Sequence, residues 1–327
     1  MLTFDKMWQR VAEGEEVSLL FGNGFSRAWR DTPFRYETLY DAAKFSEREK
    51  EIRRVFEVLG TQDFETVTSR LRASRDILSL YSDDEHLVAQ LETDSQLIKD
   101  ALLRAIADTH PSRPNEISGE EYRQVRHFLA RFTSIHTVNY DLLMYWARNQ
   151  VDLPPDDWRT DDGFRADQLW VGPDTDQEVF FLHGALHLYE TRDGVKKHTF
   201  ADQGQPIIDT VQENLRKDVF PLFVSEPTSD AKRSRINKNP YLSYCLRQLS
   251  RETGFIFILG HGFAEVDRHI FSAIDASHVR HVFVALFGDP NTKKNRRIRA
   301  NARAYLEEEN RGVSFVEAET VPLWRSV

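Results

Sequence analysis

Val17-Ser18-Leu19-Leu20-Phe21-Gly22-Asn23-Gly24-Phe25-Ser26 is the stretch on which the fold turns. An apolar run without helical spacing is stopped by two glycines, the pattern of a buried strand entering a tight turn. A strand apolar on both faces belongs in a sheet covered on both sides, which means parallel strands joined by helical crossovers.

Outward from this strand, the chain alternates. Asp63 is placed to cap a helix whose apolar face is Phe64, Val67 and Leu71. Helical spacing continues through Leu87, Leu91, Ile98, Leu102 and Ile106, and again through Tyr122, Val125 and Leu129, with a loop at Pro111–Gly119. Residues 36–131 are therefore expected to form a helical insertion. Strands are expected at Phe132–Val138, Val179–Leu182, Phe220–Val224, Phe255–Leu259, Val282–Phe287 and Val313–Val316. Asp193-Gly194, a favoured turn pair, predicts a hairpin of Leu186–Thr191 with Val195–Phe200. The expected fold is α/β, a Rossmann-like, mostly parallel sheet with helices on both faces. Its core would be residues 1–35 and 132–327, with a small hairpin-containing insertion at about 151–238.

Composition narrows the function. A net charge of −9 over 327 residues opposes binding to a phosphate backbone unless a local basic patch overcomes it. Lys293–Arg299 is the strongest such run, and it reads as a solvated helix face or a subunit contact; Lys232-Arg233-Ser234-Arg235 reads as a loop. Direct nucleic-acid binding is not expected. The single cysteine, Cys245, excludes an internal disulfide framework and a four-cysteine zinc site. With no apolar stretch near the roughly 20 residues of a membrane span and no signal-peptide core at the start, the expected location is cytoplasmic.

Four strands end in polar or glycine-rich turns, and ligands of open α/β sheets bind outside such carboxyl ends. In Gly22-Asn23-Gly24-Phe25-Ser26, glycines permit a close phosphate approach, although a two-glycine turn is often only a turn. The third glycine of the dehydrogenase fingerprint is missing, and so is the ribose-binding acid on a second strand, since Tyr40–Val58 reads as helix; hydride transfer is not expected. Asn139 and Asp141 can grip a ribose and a water, or simply cap the helix that follows. His183-Gly184 offers an imidazole that titrates near neutrality, or a structural histidine. Gly260-His261-Gly262, with Asp267 after it, permits close backbone approach and a carboxylate contact to ribose hydroxyls, or is a plain loop.

The ordered set resembles the sirtuin superfamily. The family's Gly-Ala-Gly-x-Ser is matched by Gly22, Gly24 and Ser26, its downstream Phe-Arg by Phe34-Arg35, its Asn-x-Asp by Asn139 and Asp141, and its His-Gly by His183-Gly184. The late Gly-x-Ser turn is met in part by Gly260, where His261-Gly262 replace hydroxyl residues. Asn23 stands for the usual alanine, Pro33 for an aspartate, and the four zinc cysteines are absent. The chain looks most like the bacterial sirtuin-like domains of anti-phage defence.

That resemblance implies NAD as substrate and cleavage of the nicotinamide–ribose bond to nicotinamide and ADP-ribose, with no metal. It implies that the Gly22–Ser26 turn holds pyrophosphate, Phe25 and Phe34 wall the nicotinamide side, and Arg35 pairs with a phosphate. His183 would bind or deprotonate a ribose hydroxyl, Asn139 would hold ribose and water, Asp141 would orient Asn139 or stabilise charge, and Asp267 would meet the adenosine-side ribose. It also implies a homo-oligomer, with a partner ATPase or phage-sensing protein. Two other readings share the site: a sensor or scaffold that binds NAD or ADP-ribose without turnover, and a deacylase or ADP-ribosyl transferase.

Overall fold

A computed structural model describes residues 1–200 and 204–325. Positions 201–203 of the expected small insertion and the last two residues of the expected core lie outside that description.

Seven strands form one wholly parallel sheet: β1 (Val17–Phe21), β2 (Ser134–Thr137), β3 (Thr160–Asp161), β4 (Gln177–Phe181), β7 (Thr253–Leu259), β8 (His278–Leu286) and β9 (Gly312–Glu317), in the order β3-β4-β2-β1-β7-β8-β9. β5 (Leu188–Thr191) and β6 (Gly194–Lys197) make a separate antiparallel hairpin closed at Asp193-Gly194, as the turn pair predicts. All five residues of β1 are buried, which is why its sequence carries no polar alternation. The sheet grows from β1 in both directions, to β2 on one side and β7 on the other. The crevice at such a reversal of strand order is where open α/β sheets place ligands.

Helices α1 (Phe4–Trp8) and α2 (Gly24–Trp29) flank β1 in the chain. Next come α3 (Tyr36–Ala42), α4 (Glu49–Leu59), α5 (Phe64–Tyr81), α6 (Glu85–Thr109) and α7 (Gly119–Leu129). Asp63 caps α5 by accepting from the amides of Glu65 and Thr66. α3 to α6 have their own apolar cluster of Leu39, Phe45, Phe56, Phe64, Val67 and Ile98, whereas Tyr122, Val125, Phe128 and Leu129 of α7 join the core beneath the sheet. After β2 the chain forms α8 (Leu143–Arg148); beyond the hairpin lie α9 (Ile207–Arg216), α10 (Ser229–Lys238) and α11 (Pro240–Leu249), then α12 (Arg268–Asp275) and α13 (Lys293–Leu306). Among the described residues, no helix is long and apolar enough to cross a membrane.

Three readings need correction. Phe220–Val224 is not a sheet strand: its backbone bonds instead to the loop after β4, Leu222 accepting from Ala185 and donating to Leu188, and Val224 donating to His183. The acidic, proline-containing stretch Asp152–Asp162, which reads from its composition as a loop, contains the edge strand β3, too short to leave a periodic signal. Lys232-Arg233-Ser234-Arg235 lies within α10 rather than in a loop, with Lys232 buried.

Candidate functional site

Four neighbouring strands, β4, β2, β1 and β7, end at one cavity of about 1100 Å³, counting the part open to solvent. Its wall includes Gly22, Asn23, Phe34, Asn139, Asp141, His183, Gly260, His261, Gly262 and Asp267, all singled out from the sequence. The structure does not bring Gly24, Phe25, Ser26 or Arg35 to that wall.

Those four are used otherwise. Phe25 is fully buried, stacked on Phe21 with centroids 4.2 Å apart and edge-on to Trp324. The Gly24 amide donates to the Gly260 carbonyl at 3.0 Å, and a side-chain carbon at Gly24 would stand 2.4 Å from the Gly260 α-carbon. The glycine thus serves the packing of the β1 turn on the β7 turn. Arg35 pairs with Asp31 at 3.3 Å on the surface. Ser26 is buried between two strand ends: its hydroxyl accepts from Asn139 Nδ2 at 3.0 Å and donates to Asp141 Oδ2.

This small network fixes the β2 turn. Thr137 Oγ1 accepts the Asn139 amide at 3.0 Å, while Asp141 Oδ1 accepts the Leu143 amide at 2.9 Å, so Asp141 also closes the start of α8. Asn139 is not a helix cap; its amide group is held toward Ser26. Asn23 Nδ2 donates to the Phe34 carbonyl at 2.9 Å and ties the following segment over the cavity. At the end of β4, Gly184 takes φ +78°, and a side-chain carbon there would meet the Leu222 carbonyl oxygen at 2.1 Å, so only glycine fits beside His183.

The opposite wall carries charge that the sequence reading missed. Lys232, 1 % exposed, places its ammonium 2.9 Å from Glu65 of α5 and 2.8 Å from Asp267. Burial alone would weaken its charge, but the two carboxylates hold its pKa above the ordinary lysine value. Burial would likewise raise Asp267, yet Lys232 and the neighbouring imidazoles outweigh it and hold the carboxyl well below the usual range. Glu65 goes the other way: burial and Asp267 push it up to about 7 against the pull of Lys232. With Asp63 and Asp141 the wall offers four carboxylates and one ammonium.

His183 Nε2 lies 2.9 Å from Nε2 of His269, a residue of α12 that no sequence motif marked. Burial, then the Lys232 charge and His269, push His183 well below its ordinary value, and His269 is pushed down to about 4, mainly by burial. Both imidazoles are neutral at pH 7. With Asp267 they bring three donor atoms within 4.8 Å of one another, the spacing a metal ion would need. The two lone pairs do not converge on a third point, however. With centroids 5.1 Å apart and nitrogens 2.9 Å apart, little beyond the two ring radii is left, so the nitrogens face each other along one line. Asp267, for its part, is already bonded to Lys232. In this arrangement the two imidazoles are hydrogen-bonded to each other.

No curated protein matches the chain. A solved structure of Sir2Tm bound to a propionylated peptide is similar over 98% of this chain and 94% of that chain, at 11% identity and a TM-score of 0.40. A family model described as a domain of unknown function, DUF4917, matches residues 19–324, nearly the whole length, and the chain belongs to that family.

Proposed function

We propose that the chain is an NAD+ hydrolase that cleaves the nicotinamide–ribose bond. The observation that supports this reading is that Asn139 and Asp141, after β2, and His183, after β4, line one cavity beside the Gly22 turn. Breaking this C–N bond leaves positive charge on the ribose, as in glycoside cleavage. A cavity with four carboxylates and one ammonium suits both the cationic nicotinamide ring and that oxocarbenium-like state. His183, buried and neutral, can accept a proton from a ribose hydroxyl, while Asn139, held through Ser26, orients ribose and water. The pyrophosphate would lie by Gly22 and Asn23, without Arg35 or the Ser26 hydroxyl. A role in anti-phage defence, as an oligomer or with an ATPase or phage-sensing partner, is part of the same proposal and rests on the motif resemblance.

One observation favours a second reading, a sensor that holds NAD or ADP-ribose without turnover. Ser26 and Arg35, two groups the resemblance gives to phosphate binding, stand away from the wall. Incubating the protein with NAD+ and measuring free nicotinamide separates the two. Turnover is expected in the wild type, reduced on the order of 100-fold or more in Asn139→Ala and His183→Ala with the fold intact. Saturable binding with no nicotinamide released would establish the sensor instead, and full turnover in both variants would remove these residues from the chemistry.

A further inference from the structure

Head-on contact between two buried imidazoles constrains which nitrogen of His183 a ligand can meet. In a neutral imidazole one nitrogen carries the proton and the other the lone pair, and the partner of one decides the state of the other. His183 Nε2 is committed to His269 Nε2, in line at 2.9 Å. The nitrogen left for the cavity is Nδ1.

The partner is itself held. Ser229, at the start of α10, accepts the His269 backbone amide on its hydroxyl oxygen at 2.7 Å and lies 3.4 Å from His269 Nδ1. Two proton arrangements satisfy this chain. In one, His183 donates Nε2–H to His269, which keeps its own proton on Nδ1 toward Ser229, and His183 Nδ1 is a lone pair. In the other, Ser229 donates to His269 Nδ1, His269 donates to His183, and Nδ1 of His183 carries a proton. Only the first leaves a base in the cavity. It is also the arrangement in which His183 can take up a proton on Nδ1 while Nε2–H keeps its partner.

We propose that His269 is a positioning residue: it accepts the Nε2 proton of His183 and so presents Nδ1 to the ligand as the base. The assignment rests on the reading of His183 as base in NAD+ cleavage. In the step itself, Nδ1 takes the proton of a ribose hydroxyl while the Nε2 proton stays on His183, bonded to His269. Nothing needs to enter or leave through the pair.

Two measurements test it independently. Long-range ¹H–¹⁵N correlation spectra of the full chain, with His183 assigned against His183→Ala, report the tautomer without any turnover. The expected signature is a protonated Nε2 and a bare Nδ1, retained in His269→Gln, whose side-chain oxygen can accept the same proton, and lost in His269→Leu. In NAD+ cleavage, His269→Leu should lower kcat on the order of 100-fold with little change in KM, and His269→Gln should recover most of it. A wild-type spectrum with the proton on Nδ1 of His183 overturns the assignment, as does a kcat in His269→Leu equal to wild type. If the wild type releases no nicotinamide, the proposed reaction fails, but the spectra still decide whether His269 sets the tautomer.

Discussion

Toward the amino end of the central strands, His136 of β2 meets Glu252 at 2.7 Å, and the same carboxylate accepts hydroxyls from Ser18 of β1 and Ser134 of β2. At the carboxyl end, His183 meets His269 and the nearest carboxylates lie against Lys232. Both clusters bury imidazoles, carboxylates and hydroxyls, yet only one faces a void. Glu252 is surrounded: burial would raise it, and His136 with the two hydroxyls pulls it below the usual range. The amino-end cluster spends its hydrogen bonds joining β1, β2 and the entry to β7, so it reads as a lock. At the other end of the sheet, the turns after β4, β2, β1 and β7 line the cavity and leave titratable groups with one side open. Burial of polar groups therefore does not mark a functional site; burial beside unfilled space does.

Lys232→Met should break that contrast most severely, because it leaves Glu65 and Asp267 facing each other without their cation. Removing one member of a buried ion pair costs on the order of 3–5 kcal/mol. Urea denaturation at pH 7 should show a lower midpoint with an unchanged slope. An unaltered midpoint would mean that the ammonium is not needed to hold α5 against the strand ends. Glu252→Gln at the other end should cost about 1–3 kcal/mol, the usual penalty for weakening a buried polar network, and leave nicotinamide release at the wild-type rate. Its pH behaviour has a definite sign. A carboxyl held below its ordinary value contributes stability above about pH 4.3, lost as pH falls through the depressed value; the glutamine variant should lack that acid limb.

Much of this organisation can be read in the chain without coordinates, and the reason is physical. β1 is buried on both faces, so its run of apolar residues admits no alternation, and Asp63, with Phe64, Val67 and Leu71 after it, announces α5. The turn residues Asn139, His183 and Gly260 were legible because each follows a recognisable strand. Lys232 was not: it sits among Arg233 and Arg235, and what makes it different is contact with Glu65, 167 positions away. His269 was hidden for the same reason, lying inside an amphipathic helix with nothing local to separate it from a packing residue. Gly24 and Ser26 match a phosphate-binding turn by sequence pattern, whereas here they join the β1 turn to the β7 and β2 turns. Spacing marks the longer elements; which side chain faces the cavity is set by elements far away in sequence.

The smallest effect, and the sharpest discriminator, concerns Glu65. Its carboxyl is pushed up to about 7, so the folded state holds that proton more tightly than the unfolded chain does, where the value is about 4.3. The stability tied to this proton is fully present below about pH 4.3 and is lost as pH rises through 7. His183, His261 and His269 work against it in the raw curve: each is depressed by burial, so each costs stability as pH falls below about 6.5. Asp267 and Glu252 do not interfere, since depressed carboxyls act below about pH 4.3. The useful quantity is therefore the difference between wild type and Glu65→Gln, in which the histidine contribution cancels. That difference should move against the wild type between about pH 4.3 and 7 and be level on either side. A level difference throughout would mean that Glu65 titrates as an ordinary exposed acid, and the carboxyl-end wall would then be no more perturbed than the surface.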